Sequence, residues 1–526
     1  MDSEKAQCAE HVEEQDVRHI ASKPEGPAVD EELTALQTVK QHPKAIIYCF
    51  CMSICTFVYG FDLIIINVVT AMPAFQVAFG DSTGDGSYTL PAQWLSLWSS
   101  MVSVGIMGGA YATGPIADRI GSRILMIFGG LLTIGGALIC TFSETSEILN
   151  TKRSMFLIGK IVVGLGLGFQ LPASQTYVSE VAPLRIRGPL LSLFTLFMVI
   201  GQIIAVVGVD VRLHITTAAA FRILFASEVI PAGIAILAVI LTPDSPTFLV
   251  KKGKVEKAVR AFTRIYSSRG PEAQEGVGAI EAALEHEKQA ESTEKKASYI
   301  ECFQGANWRR TRIVFYANIL QNLVGIAMIS NATYFLELGG MTATVSLLVT
   351  TASLCLLIPA ILISWYTMAT FGRRTILLWS VGAITLIWLA IGIAGCFSTT
   401  TAFWFVGCAI VAVNFTYGLG VGGTYPVISS ETSTLRLRAQ TQSLAFIAQF
   451  FFMWGFNYAV PYMYQTDEGN LGGKVGFIFS GLSALGWIIF FFEVPEMKDR
   501  TIAELDHLFE MRTPTRAFKG QIVPRH

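Results

Sequence analysis

GPIADRIGSR, residues 114–123, sets three charges and two glycines between two long apolar runs. Downstream, FGRR (371–374) stands in the same setting, and Gly372 follows Gly121 by 251 residues. The spacing recurs. Glu180 in YVSEVAPLRIRG (177–188) and Glu431 in ISSETSTLRLRAQ (428–440) are also 251 apart, with Arg187 and Arg438 close behind them. Pro243 in TPDSP and Pro495 in VPEMKDR are 252 apart. Three landmarks at one spacing mark a duplicated unit.

Around these landmarks lie twelve apolar segments of membrane-spanning length, beginning near Ala45, Trp94, Ile124, Met155, Leu190, Ile223, Ile313, Ser346, Ile376, Phe403, Ser443 and Val475. The chain of 526 residues is 52% hydrophobic and only 15% charged, with a mean hydropathy of +0.52. A soluble protein carries about 25% charged residues. These features predict an all-α membrane protein of two parallel six-helix halves, an organisation that places a solute site near the midplane between them. The predicted parts are a disordered tail (1–44), an N-terminal half (45–242), a polar linker with short amphipathic helices (243–311), a C-terminal half (312–494) and a second tail (495–526). Basic residues crowd DRIGSR, PLRIRG, the linker, FGRR, LRLRAQ and MKDR, whereas Lys152, Arg153, Arg212, Arg222 and Lys474 stand nearly alone on the other side. The positive-inside rule puts the first set, and with it both termini, in the cytosol. There is no secretory signal, so the first span is expected to carry the membrane address, with the plasma membrane as destination.

The loops carry a resemblance. GPIADRIGSR is similar to the G-x-x-x-D-R-x-G-R-R loop of the sugar porter family of the major facilitator superfamily, and YVSEVAPLRIRG to its E-x-x-P-x-x-x-R-G loop. PDSPTFLVKKGK (243–254) resembles P-E-S-P-R-W-L, and VPEMKDRTIAELDHLF (494–509) the family's P-E-T-K-G-R-T-x-E-E-L-D-x-L-F. The resemblance spans about residues 45–510, and CFQGANWRRT (302–311) and TYFLELGG (333–340) are most like the fungal α-glucoside and maltose permease branch. Departures are Ser122, Asp244, Thr247, Phe248 and Ala369.

Asp118, Arg119, Arg123, Glu180 and Arg187 fall at helix ends on one face, with Arg373, Arg374, Glu431, Arg438 and Glu496 as their counterparts. Paired, such groups clamp helices; separated, each is hydrated. That is a latch able to bias one conformation, and the resemblance implies that it holds the outward-facing state. Positive-inside anchoring alone is the alternative.

One carboxylate lies inside the membrane. Asp62, in CTFVYGFDLIIINVVT (55–70), sits about 17 residues, or roughly 25 Å, into the first span. Such a group is expensive in lipid and needs a cavity or a partner. Lys160, in LIGKIVVG, enters from the opposite face to a similar depth. The resemblance implies a proton site at Asp62 and a basic partner at Lys160, normally arginine; unlike arginine, a buried lysine can lose its proton. Protonation of Asp62 would then release Lys160 and let the loaded halves rock inward. The alternatives are a static ion pair and a cap for a helix break after Gly60. Glu228, near the outer end of the sixth span, reads as interfacial, snorkelling or linked to Arg222.

A sugar site needs amides and hydroxyls for ring hydroxyls and an aromatic face. By resemblance these are Gln321 and Asn322 on the seventh span, Gln202 on the fifth, Gln449 with Phe450 on the eleventh, Thr195 where Gln or Asn is usual, and Tyr425 beside the usually aromatic Pro426. Asn331 offers a further polar contact. Ile326 and Ala327 replace a common sugar-binding asparagine. The sequons at Asn331 and Asn414 fall within spans and are not expected to be glycosylated.

No histidine pair, nucleophile triad or phosphate-cradling loop sits in a plausible site. Gly164, Gly166 and Gly168 lie within an apolar helix and read as packing positions, as do Cys49, Cys51 and Cys55. The expectation is therefore a non-enzymatic, monomeric secondary transporter without metal, cofactor or nucleic acid. It imports a sugar (a glucoside, disaccharide or hexose) with protons. A non-sugar polar solute is the alternative, and a non-transporting nutrient sensor a weaker one.

Overall fold

The computed structural model describes residues 35–518 apart from 83–87, 184–185, 214, 216, 268–269, 294–299, 398, 434–436, 466–467, 498–504, 506 and 510, and omits some further side chains. Eleven helices among the described residues are long and apolar enough to cross a membrane: Pro43–Val69, Ser122–Thr145, Leu149–Val181, Leu193–Arg212, Ala219–Leu241, Asn307–Ser330, Ala343–Met368, Arg373–Ala394, Thr401–Ser429, Thr441–Tyr464 and Gly472–Glu493. The twelfth is Ala92–Ile120, 29 residues long. It is as long as the others but more polar, because Ser96, Ser99, Ser100 and Ser103 recur along one side of it. Numbered in chain order, these are the first to twelfth spans, with Ala92–Ile120 the second.

The duplication is visible in backbone geometry. Gly121 and Gly372 have φ/ψ of 92°/150° and 90°/160°, a region open only to glycine, and each ends one span and starts the next. Two residues on, the arginines cap neighbouring helix ends. Arg123 donates from Nε to the Val239 carbonyl at 3.2 Å and from Nη2 to that of Ile240, while Arg374 Nη2 donates to the Phe491 carbonyl at 2.7 Å. Arg123 and Arg374 are 251 residues apart, as are Ile240 and Phe491. A guanidinium on the last carbonyls of a helix satisfies acceptors that the helix leaves open.

Spans approach closely where glycine removes the side chain. A Cβ at Gly60 would lie 1.9 Å from the Met198 carbonyl oxygen, and one at Gly201 would lie 2.2 Å from that of Phe57, so the first and fifth spans meet backbone to backbone. A Cβ at Gly164, Gly166 or Gly168 would likewise lie 2.3–2.5 Å from the Val102, Gly129 or Ile106 oxygen, so these glycines let the fourth span pack against the second and third. Gly60→Val should force the first contact apart and cost about 3 kcal/mol or more. The check is the yield of monodisperse protein in a size-exclusion profile.

On the face of the basic loops, Val255–Tyr266 buries Ala258, Ala261, Phe262, Ile265 and Tyr266, a helical stripe laid on the N-terminal half, and Tyr266 donates to the Val181 carbonyl at 2.9 Å. The C-terminal segment packs on the other half: Phe509 and Phe518 are buried, and Arg309 Nη1 donates to the Thr513 carbonyl at 2.7 Å. Residues 1–34 of the expected disordered tail lie outside the described residues. Its last part departs from expectation, since Ala35–Gln41 is helical with Thr38 buried. On the far face, two short strands, Asp81–Ser82 and Tyr88–Thr89, pair antiparallel in the first loop. Arg153 anchors this loop, donating to the Phe79 carbonyl at 2.8 and 2.6 Å and to Asp81 at 3.0 Å.

Candidate functional site

Two sites lie close together. The first is ionic. Asp62 and Glu228 are each 1% exposed and Lys160 not at all. Lys160 Nζ donates to Asp62 Oδ1, and the ammonium lies 5.4 Å from the Phe225 ring centre. Glu228 sits near enough to both to feel their charge. Asp62 Oδ2 and Glu228 Oε1 are buried without a hydrogen-bond partner. The pair expected from matching depths is thus formed, and the reading of Glu228 is corrected. Its side chain is internal, and Arg222 instead faces Glu144 at 3.7 Å. The sixth span is only slightly interrupted at Glu228, which keeps helical dihedrals of −63° and −25°, because Pro231 has no N–H for the Ser227 carbonyl.

The second site is a cavity between the halves, about 930 Å³ with its open mouth included. The N-terminal half contributes Tyr59, Leu63, Ile64, Met198 and Gln202; the C-terminal half contributes residues from its seventh, eighth, tenth and eleventh spans. Leu63 is the neighbour of Asp62, so a movement of the first span that alters the ion pair also alters the cavity wall. Two cross-half hydrogen bonds draw the spans together toward the far face: Gln465 Nε2 to the Leu90 carbonyl at 2.9 Å and Ser99 Oγ to the Asn457 carbonyl at 3.1 Å.

The cavity brings together Gln202, Gln321, Asn322 and Gln449 as expected. Tyr417 donates to Gln321 Oε1 at 2.9 Å, Asn322 Nδ2 to the Gln449 carbonyl at 3.2 Å, and Asn414 Nδ2 to Ser353 Oγ at 2.8 Å. The other four expected residues are not among its lining. Thr195 stands nearer the basic-loop end of the fifth span than the lining Met198 and Gln202. Tyr425 packs against the large apolar core. Phe450 is buried in the apolar cluster of the N-terminal half, because its neighbour Gln449 takes the cavity-facing position on that helix. Asn331 donates its side chain to the Ala327 carbonyl at 2.8 Å, an acceptor that its own backbone N–H also reaches at 3.3 Å, so its amide is turned back on its own helix. The break of the seventh span, at Gly325 with φ 89°, turns Ile326 and Ala327 into the cavity, and Trp388 Nε1 satisfies the Val324 carbonyl beside it at 2.9 Å.

Residues not anticipated are Tyr59, Asn414, Tyr417 and Asn457. Asn414 and Asn457 carry the signal of an amide within an apolar span; Tyr59 and Tyr417 carry none that separates them from packing tyrosines.

On the basic-loop face, Glu180 accepts from Ser245 Oγ, Arg123 lies 4.0 Å from Asp244, and Glu496 accepts from the Arg373 backbone N–H at 3.0 Å. These contacts join helix ends within each half. Arg119 is exposed. The side chains of Asp118, Arg187, Glu431 and Arg438 lie outside the described residues.

Residues 48–509 match the family described as "Sugar (and other) transporter". The chain belongs to the sugar porter family. This sugar porter is 32% identical to the Aspergillus fumigatus MFS transporter fmqE, over 99% of its own length and 98% of the relative's. It is 29% identical to the general alpha-glucoside permease of Saccharomyces cerevisiae, over 95% and 80%. In fold it is similar to the E. coli xylose transporter XylE in a partially occluded inward open conformation, with a TM-score of 0.73 and 18% identity over 87% of this chain and all of that one. The proton:xylose symporter XylE bound to 6-bromo-6-deoxy-D-glucose superposes at 0.71 with 20% identity, over 89% and 99%. The sugar porter is a multi-pass membrane transporter and not an enzyme.

Proposed function

We propose that this sugar porter imports a sugar, a glucoside or disaccharide in the first place, together with protons, across the plasma membrane by alternating access. The observation that carries the proposal is the buried trio of Asp62, Lys160 and Glu228, in which Asp62 is the chain neighbour of Leu63 in the cavity wall. Two ionised carboxylates beside one ammonium leave a net negative charge away from water, which costs several kcal/mol. One proton taken up by the trio removes that charge, so the site has a use for a proton. Gain of a second proton breaks the hold of Lys160 on Asp62 and frees the first span to move. The basic loops face the cytosol in this reading, and the arginine caps and carboxylates at the helix ends stiffen each half as it moves.

The test is uptake of labelled maltose and glucose by transporter-deficient cells at pH 5 and pH 7.5, with and without a protonophore. The expected result is several-fold faster uptake at pH 5, lost when the proton gradient collapses. Uptake indifferent to both would make the protein a facilitator. The sparse free amides of the cavity favour a second reading, a non-sugar polar solute, and well-expressed protein that moves neither sugar would select it.

A further inference from the structure

The C-terminal segment closes on the basic-loop face of the C-terminal half as a strap. It begins at Arg512, whose φ of 51° turns the backbone through the left-handed region just after the helical residues 507–509. Arg309, at the start of the seventh span, grips the strap twice. Its Nη1 donates to the Thr513 carbonyl at 2.7 Å and its Nη2 to the Thr515 hydroxyl oxygen at 2.9 Å. The guanidinium is held in place by two rings, with Phe509 at 5.5 Å and Phe518 at 5.6 Å from its centre. One residue beyond Thr515, Arg516 lies 4.8 Å from the ring centre of Phe491 on the twelfth span. Among the described residues, this corner sets Arg309, Arg312, Arg374 and Arg516 against Glu493 and Glu496, an excess of positive charge.

We infer that Thr515 is a phosphorylation site whose phosphate is held by Arg309, so that modification locks the strap onto the C-terminal half. Arg512 stands three residues before Thr515, the R-x-x-T order that arginine-directed kinases read. Thr513 offers the other hydroxyl of the strap, but it is only 4% exposed, whereas Thr515 is half-buried. A kinase reaches Thr515 when the strap lifts, an opening that chain ends undergo at low cost. The Thr515 oxygen attacks the γ-phosphorus of a nucleoside triphosphate. The Oγ–P bond forms, the bond from that phosphorus to the β-phosphate oxygen breaks, the nucleoside diphosphate leaves, and the hydroxyl proton passes to the base of the kinase. When the strap closes again, the phosphate meets Arg309. A guanidinium and a phosphate make two parallel charge-assisted hydrogen bonds where the hydroxyl accepts one, and the excess of arginine around the site favours the added negative charge. The device does not depend on which solute the protein carries.

The experiment uses full-length protein expressed in Saccharomyces cerevisiae, incubated with ATP and an arginine-directed kinase, and divided so that one half is treated with phosphatase. Peptide mass spectrometry locates the phosphate. Amide hydrogen exchange over residues 511–518 reads the strap, where the Thr513 N–H donates to the Leu508 carbonyl at 3.1 Å and the Ala517 N–H to that of Pro514 at 2.9 Å. The expected result is phosphate on Thr515 and exchange slower by about fivefold or more than in the phosphatase-treated half. Arg309→Gln should still accept phosphate but lose that difference. If that variant folds poorly, Thr515→Ala should lose the phosphate and Thr513→Ala should keep it. Phosphate on Thr513 or on neither threonine, exchange unchanged or faster on phosphorylation, or a difference that survives Arg309→Gln would overturn the inference.

Discussion

Asp62→Asn should abolish accumulation of solute against its gradient, by more than tenfold, while exchange of labelled for unlabelled solute at equal concentrations persists. Asparagine keeps the size of the carboxyl group and cannot ionise, so it mimics the protonated state at every pH. A transporter held there still binds and rocks, but no longer couples that motion to a proton. Counterflow and concentrative uptake in proteoliposomes separate the two. A static ion pair makes a different prediction, because both activities would then fall together with the amount of folded protein. If Asp62 served only as a cap for a helix break, both would survive, since asparagine also caps. The backbone speaks against that last role: the first span runs unbroken as a helix from Cys55 to Val69, past Gly60 and Asp62.

Lys160→Met should be the most destabilising single change in the membrane core. It leaves two buried carboxyl groups, Asp62 and Glu228, without their cation, and removing one member of a buried ionic group costs about 3–5 kcal/mol. The sign of the pH effect follows from charge. At pH 8 the carboxylates repel and lack solvation; acidification neutralises them, so the deficit against wild type should shrink as pH falls toward 5. Combining Lys160→Met with Asp62→Asn should recover much of the loss, a non-additivity expected of groups that act as one unit. Unfolding midpoints of the four proteins at both pH values provide the check. Equal deficits at pH 5 and pH 8 would mean that Lys160 contributes by packing alone.

Most of the fold was legible in the chain because a membrane imposes a coarse code: long apolar runs, basic loops on one side, and a repeat that placed Gly121 and Gly372 in equivalent turns. Asp62 and Lys160 could be matched because depth in a helix is simply residue count. Glu228 could not, because which way a residue faces depends on how its helix is rotated; the interruption beside it is legible, since Pro231 has no N–H for the Ser227 carbonyl. The same limit applies to the cavity. Counting along a helix says that Gln449 and Phe450 lie at one depth, but which of them faces the solute depends on how the eleventh span is rotated against the second. Asn331 misled for the opposite reason. An amide within a span suggests a ligand contact, whereas here it bonds back to the Ala327 carbonyl of its own helix.

The far-face contacts between halves bear on how such a protein tolerates sequence drift. Gln465 and Ser99 both reach across to main-chain carbonyls, those of Leu90 and Asn457. A carbonyl is supplied by any amino acid, so these two bonds by themselves constrain the side chains of the donors and not those of the acceptors. Mutational robustness of the contact is therefore lopsided. Because the Leu90 side chain is itself wholly buried in the apolar core, exhaustive substitution should find apolar residues permitted at 90 and few besides glutamine at 465.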